Sequence, residues 1–162
     1  MYRKQSIAAR VYNIAEQQGI YQTTVHTIIS SYIDYCKVLL LSGHKVDFFG
    51  IATIVPDVIV DDYNTTLSYD CSRLAEQLHL PYNTVFIIIR EYLYSIMEDI
   101  FLGRNAEIRG IVTMKPIKEN GIICKVHASM SVSLKNLIDS SDCIISSARV
   151  HTYKLLRSNL KK

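Results

Sequence analysis

The chain carries the stretch Ile14-Ala15-Glu16-Gln17 through Gly50-Ile51-Ala52-Thr53-Ile54-Val55-Pro56, and it carries it twice. Displaced by sixty residues, Leu74-Ala75-Glu76-Gln77 through Gly110-Ile111-Val112-Thr113-Met114-Lys115-Pro116 falls on it without a gap, and thirteen of the forty-three aligned positions are identical. The shared residues include Ala15/Ala75, Glu16/Glu76, Thr24/Thr84, Tyr32/Tyr92, Gly43/Gly103, Gly50/Gly110, Thr53/Thr113 and Pro56/Pro116. Two helices of similar apolar spacing would account for matched Ile and Val residues. They would not pair glycines, threonines and prolines at one fixed offset. An internal duplication accounts for all of them.

Working outward, each copy reads as the same series of elements. Ile7, Ala8, Val11, Ile14 and Ala15 follow helical spacing from about Gln5 to Gln18, and Gly19 supplies a left-handed stop. A longer helix is predicted from about Gln22 to Leu41, with Val25, Ile28, Ile29, Tyr32, Ile33, Cys36 and Leu40 on one stripe. Gly43 ends it, and two extended segments broken at Gly50 follow, alternating apolar and polar residues. The second copy predicts a helix to about His79, a long helix from Pro81 to Phe101 and strands over 107–117 and 122–126. Asn120-Gly121 between apolar strands is a two-residue hairpin signal. His127 to Ile138 runs from strand into helix, and Ser140-Ser141-Asp142 offers a cap for a last helix from Cys143 to about Leu160. The expected divisions are residues 1–70, 71–139 and 140–162: two repeats and a C-terminal helix.

Composition narrows the classes. The chain has 162 residues, 49% hydrophobic and 20% charged, which is globular and long enough to bury a core. Four cysteines (Cys36, Cys71, Cys124, Cys143) are widely spaced, which argues against a zinc site or disulfide framework and for a reducing compartment. No apolar run approaches the roughly 20 residues of a membrane span, so no membrane partner is expected. Residues 1–70 hold five Lys/Arg against seven Asp/Glu, or −2, and residues 71–162 hold thirteen against eight, or +5. An anion-binding surface is therefore expected in the second half.

The order helix–Gly–helix–Gly–strand–Gly–strand resembles the bacterial HU and integration-host-factor family of architectural DNA-binding proteins. The residues that carry the resemblance are Ile14-Ala15-Glu16, Gly43 and Gly50-Ile51-Ala52-Thr53-Ile54, then Leu74-Ala75-Glu76, Gly103 and Gly110-Ile111-Val112-Thr113-Met114. It covers about forty-five residues of each half and makes Gly43, Gly50, Thr53, Gly103, Gly110 and Thr113 the fold-defining positions. Members of that family are intertwined dimers, so two copies in one chain imply an α+β single-chain pseudo-dimer, a helical base beneath antiparallel strands. The family bends DNA with long basic β-ribbon arms tipped by a wedge proline. Here the first arm's place is held by the acidic Pro56-Asp57-Val58-Ile59-Val60-Asp61-Asp62-Tyr63. The second has shrunk to Lys115-Pro116-Ile117-Lys118-Glu119-Asn120-Gly121-Ile122-Ile123-Cys124-Lys125.

The remaining candidate DNA or anion contacts are Arg104, Arg109, Lys115, Lys118, Lys125, Lys154, Arg157, Lys161 and Lys162. The same lysines also read as a solvated strand face, and the cations at 154–162 as ordinary helix C-terminal charges. The five histidines share no metal-ligand spacing, and there is no phosphate-cradling loop or nucleophile–base pair. We therefore expect no enzyme, no cofactor, no metal and no small-molecule substrate. Eleven tyrosines without tryptophan suit an interface as well as a core. Large tailed bacteriophages, including the crAss-like group, encode proteins of this resemblance near their virion genes. That implies a virion ring or connector component between portal and tail, contacting other virion proteins or copies of itself. The alternative is a DNA-binding protein of the bacterial cytoplasm or nucleoid.

Overall fold

The computed structural model describes residues 6–60 and 66–152. The fold is α+β, with five helices and two antiparallel three-stranded sheets among the described residues. The first repeat gives α1 (Ile7–Gln18), α2 (Gln22–Leu41), β1 (Val46–Phe48) and β2 (Ala52–Pro56). The second gives α3 (Leu67–Leu78), α4 (Tyr82–Phe101), β3 (Ala106–Ile108) and β4 (Val112–Glu119), followed by β5 (Ile122–Met130) and α5 (Val132–Ser140). A last strand, β6 (Ala148–Thr152), closes the described chain. The starts of α3, α4, β3 and β4 each lie sixty residues after their counterparts, so the offset read in the sequence is the offset of the fold. Because α3 begins at Leu67, the expected repeat boundary at residue 70 falls inside its first turn.

The helices start and stop for local reasons that the repeats share. Ser6 Oγ accepts from the Ala9 amide at 3.2 Å, and Thr66, sixty residues on, accepts from the Tyr69 amide at 3.1 Å. Gly19 ends α1 in the left-handed region at φ 64°, whereas His79 ends α3 there at φ 55° without a glycine's freedom. The long helices are buried along the stripe expected of them: Val25, Ile28, Ile29 and Tyr32 of α2, and Val85, Ile88, Ile89 and Ile96 of α4. These two helices pack on each other, α1 reaches across to α4, and α3 reaches across to α2. Each repeat thus buries part of its core in the other.

The crossing contacts are polar and unlike. From α1, Arg10 donates to Asp99 Oδ2 at 2.7 Å and to Ser95 Oγ at 3.0 Å, with the side chains of Arg10 and Asp99 only 2% and 5% exposed. Sixty residues on, the position of Arg10 is held by buried Asp70, whose Oδ1 accepts from Tyr35 Oη at 3.2 Å. Burial lifts the Asp70 carboxyl to about 6, reinforced by the negative charge of Asp47 and partly offset by the Tyr35 hydrogen bond. The same pocket raises the thiols of Cys36 and Cys71 chiefly by burial, Cys71 to about 12.

The C-terminal segment corrects the sequence reading. No helix runs from Cys143; residues 141–147 are irregular and 148–152 are strand, while residues 153–162 lie outside the described residues. β6 pairs antiparallel with β2 as Pro56↔Ala148, Ile54↔Val150 and Ala52↔Thr152. β5 pairs with β4 in the same register, Pro116↔Val126, Met114↔Ala128 and Val112↔Met130. The sheet orders are β1-β2-β6 and β3-β4-β5, so β6 stands in the first sheet where β5 stands in the second. The physical reason is the open edge of β2, whose unpaired amides and carbonyls favour a strand partner over helix. Residues 143–152 therefore hold no helix, and β6 completes the first repeat's sheet.

Two outcomes are expected. Asp99→Leu takes from Arg10 its buried carboxylate and is expected to cost about 3 kcal/mol in urea unfolding, whereas Arg10→Met leaves Asp99 its Arg104 partner at 3.4 Å and costs less, and the double replacement recovers most of the Asp99→Leu loss. Asp70 binds its proton more tightly folded than unfolded, so it makes stability fall as pH rises from about 4 to 6. Asp70→Asn is expected to flatten that slope and to raise stability at pH 7 by roughly 1 kcal/mol, as read by unfolding across pH.

Candidate functional site

The two sheets end differently after the equivalent prolines Pro56 and Pro116. In the second repeat, β4 runs only three residues past Pro116, about 10 Å at strand rise, before the turn. That turn is Asn120-Gly121, both at positive φ (54° and 77°), as a two-residue hairpin demands. A bulge at Ile117/Lys118 bends the ribbon, and Lys118 folds back over Gly103. In the first repeat the hairpin is split: β2 and β6 come from distant parts of the chain. Asp57 clamps them, accepting from the Ser146 and Ser147 amides at 3.0 and 3.2 Å and from Ser146 Oγ at 2.6 Å. Those donors, the hydroxyl first, hold the Asp57 carboxyl below the usual range. The Asp57 amide returns a bond to the Ser147 carbonyl at 2.9 Å, and the Val60 amide donates to the Gly43 carbonyl at 3.0 Å.

The two equivalent glycines show how the ends are packed. Gly43 and Gly103 close α2 and α4 at φ 86° and 80°. A Cβ at Gly43 would stand 2.6 Å from Val60 Cγ2, 2.7 Å from Ile144 Cδ1 and 3.2 Å from the Val58 carbonyl oxygen. At Gly103 it would meet Lys118 Cε at 2.6 Å, the movable end of a long side chain. The other fold-defining positions are strand and turn residues. Gly50 and Gly110 turn the chain between strands, Thr53 Oγ1 donates to Asp47 Oδ1 at 3.5 Å, and Thr113 Oγ1 donates to the Ser129 carbonyl at 3.4 Å.

The candidate cations divide among three places. Lys115 and Lys125 project from the outer face of the second sheet, Lys115 opposite His127 and Lys125 opposite Ile117. Arg104 and Lys118 lie by the α4–β3 turn, where Arg104 pairs with Asp99 at 3.4 Å and so faces inward as well as out. Arg109 sits apart at the β3–β4 turn, on the rim of a cleft of about 430 Å³ with Lys37, Gly110 and Ser133. Lys154, Arg157, Lys161 and Lys162 lie outside the described residues.

The sequence reading missed Arg149 and His151, exposed on β6 opposite Val55 and Thr53, because that segment was read as helix. It also missed a row on α4. Tyr82 and Phe86 stack at 5.8 Å between ring centroids, and the Arg90 guanidinium lies 5.7 Å from the Phe86 ring and 6.0 Å from the Tyr94 ring. Tyr82 is 38% exposed and Tyr94 53%. The i, i+4 recurrence of aromatic and cationic residues alongside the apolar stripe was the available signal.

No group of three or more His, Cys, Asp or Glu is placed to hold a metal ion among the described residues, and no described helix is long and apolar enough to cross a membrane. Neither a protein-family model nor a curated protein matches the chain.

The packing at the two glycines sets an expected order of cost. Gly43→Ala and Gly103→Ala both carry the positive-φ strain of about 1 kcal/mol. Gly43→Ala is expected to lower the thermal midpoint further, because apolar branches and a backbone carbonyl, not a lysine tip, must give way.

Proposed function

We propose that this chain is a non-enzymatic assembly protein built on a tandem HU/integration-host-factor-like scaffold, a single-chain pseudo-dimer that has given up DNA-bending arms for protein contacts. The observation that carries this reading is the closure of both arm positions. One ends in a tight Asn120-Gly121 turn with the Lys118 side chain laid over Gly103, and the other is closed by the Asp57 clamp beside the apolar Val58–Val60 segment. Among the described residues neither carries a proline at its tip or an arginine row that tracks a groove. Two features support protein partners instead: the exposed aromatic row of α4, and exposed apolar residues at both closed ends, Val60 and Ile144 at one and Ile122 at the other. With the resemblance to proteins encoded near bacteriophage virion genes, we place the chain in a virion ring or connector between portal and tail. Its partners there are copies of itself or neighbouring virion proteins.

One observation favours a second reading, an architectural DNA-binding protein. Lys115, Lys125 and His127 share the outer face of the second sheet, Arg149 and His151 that of the first, and β5 and β6 bring the sheets together. Asp47 and Glu107 on the edge strands oppose that charge. Tight DNA binding draws on about six to ten phosphate contacts, more than these faces supply.

Native mass spectrometry of the purified chain is expected to show closed oligomers, and gel shifts at about 50 and 200 mM salt only weak, unbent complexes. Submicromolar DNA binding that falls about 10³-fold or more between those salts, with bending, would overturn the assembly reading.

A further inference from the structure

The cleft of about 430 Å³ beside α2 is walled by four parts of the fold: α1, α2, the β3–β4 turn and the first turn of α5. It thus lies at the junction of the two repeats and falls in the size range of small-ligand sites. Ile7 and the buried Ile33 give it an apolar wall, and Lys37, Arg109, Ser30 and Ser133 supply donors. The sixty-residue offset shows what these positions do when they only fill the fold. Lys37 corresponds to Met97, Arg109 to Phe49, His26 to Phe86 and Asp34 to Tyr94. The geometry corresponds as well: a Cβ at Gly50 would stand 3.2 Å from Met97 Sδ, and one at Gly110 3.0 Å from Lys37 Nζ. The Lys37 ammonium therefore stands where the other repeat puts a thioether packed against the core.

Nothing inside the chain uses these two cations. Neither the Lys37 ammonium nor the Arg109 guanidinium has a hydrogen bond or ion pair among the described residues, although Lys37 is half-buried. Asp34 lines the same cleft one helical turn before Lys37, yet it pairs with neither. Two cations against one carboxylate leave the cleft net positive. A half-buried ammonium without a partner is costly, and an anion from outside removes that cost. Ser133 stands in the first turn of α5, where the helix adds its positive end, and its hydroxyl lies 3.2 Å from that of the capping Ser131. A phosphate group, with three strong acceptor oxygens and up to two charges, matches this donor set better than a carboxylate does.

We propose that this cleft binds a small organic phosphate, its phosphoryl oxygens held by Lys37, Arg109, Ser30 and Ser133 and its apolar part resting on Ile7 and Ile33. Asp34, on the same wall, repels the phosphoryl group and limits how tightly it is held. Apolar surface then carries the body of the ligand, and a few charged and hydroxyl groups fix its orientation. The inference does not depend on the assembly reading.

The test titrates the full chain calorimetrically with phenyl phosphate at about pH 7.5, where the monoester is almost fully doubly charged. Saturable binding with a Kd of about 1 mM or tighter is expected. Benzoate and inorganic phosphate are expected to bind roughly tenfold more weakly, one lacking the third oxygen and the other the apolar body. Lys37→Met and Arg109→Phe, which install the other repeat's residues, are each expected to weaken phenyl phosphate roughly tenfold with circular dichroism unchanged. Asp34→Asn, an isosteric change at an exposed position, is expected to tighten it, and keeps the test decisive where a wall variant misfolds. Absence of saturable wild-type binding, binding that Lys37→Met and Arg109→Phe leave intact, an Asp34→Asn chain that binds no tighter, or benzoate held as tightly as phenyl phosphate overturns the proposal. Duplex DNA that displaces phenyl phosphate assigns the same donors to a nucleic-acid backbone and overturns it too.

Discussion

The pairing of β2 with β6 is the constraint on which the rest of the architecture turns. β2 is five residues long and has β1 on one side only; without a strand on its other edge, a row of backbone groups beside the core would lack partners. The strand that fills the edge is the last described element of the chain. The whole second repeat, α3 through α5, is therefore nested between the two strands of the first repeat's split hairpin. Asp57 closes the split where a covalent turn would otherwise stand, its carboxylate accepting from the Ser146 hydroxyl and the Ser146 and Ser147 amides and its own amide donating to the Ser147 carbonyl. Such a closure is non-local and carries the loop-closure entropy of the inserted repeat.

Duplication placed two equal backbones face to face, and divergence made their contacts unequal. Arg10 and Asp70 occupy one position of the repeat with opposite charge, and each has found a different partner on the opposing long helix: Asp99 and Ser95 for one, Tyr35 for the other. A pairing of two first repeats would set Arg10 against Leu39 and Tyr35, with no carboxylate. A pairing of two second repeats would set Asp70 against Asp99. Both leave a buried charge without compensation, a cost of several kcal/mol. The buried polar layer thus favours the unlike pairing that the single chain adopts. The same divergence shaped the outside: Tyr82, Phe86, Arg90 and Tyr94 of α4 stand where α2 carries Gln22, His26, Ser30 and Asp34.

Much of the fold was legible because short-range physics repeats with the sequence. The apolar stripes of α2 and α4, the strand breaks at Gly50 and Gly110 and the Asn120-Gly121 turn follow from side-chain period and backbone freedom alone. The candidate site was less legible. Lys115 and Lys125 do share a face because alternate residues of strands do, but Arg104 is drawn to Asp99, and Arg109 is carried to a different cleft. The aromatic row could be counted in the sequence, yet its order depends on Arg90 lying between rings.

By itself the sequence determined the duplication, its offset of sixty and the elements of each repeat, since these depend on contacts a few residues apart. Only the tertiary structure decided the state of residues 148–152. Ala148, Val150 and Thr152 alternate as a strand requires, while Ile144, Ile145 and Ala148 also suit a helix, so local preference is balanced there. The open edge of β2 tips that balance, and an edge left unpaired by a distant part of the chain is not visible in the residues that come to fill it.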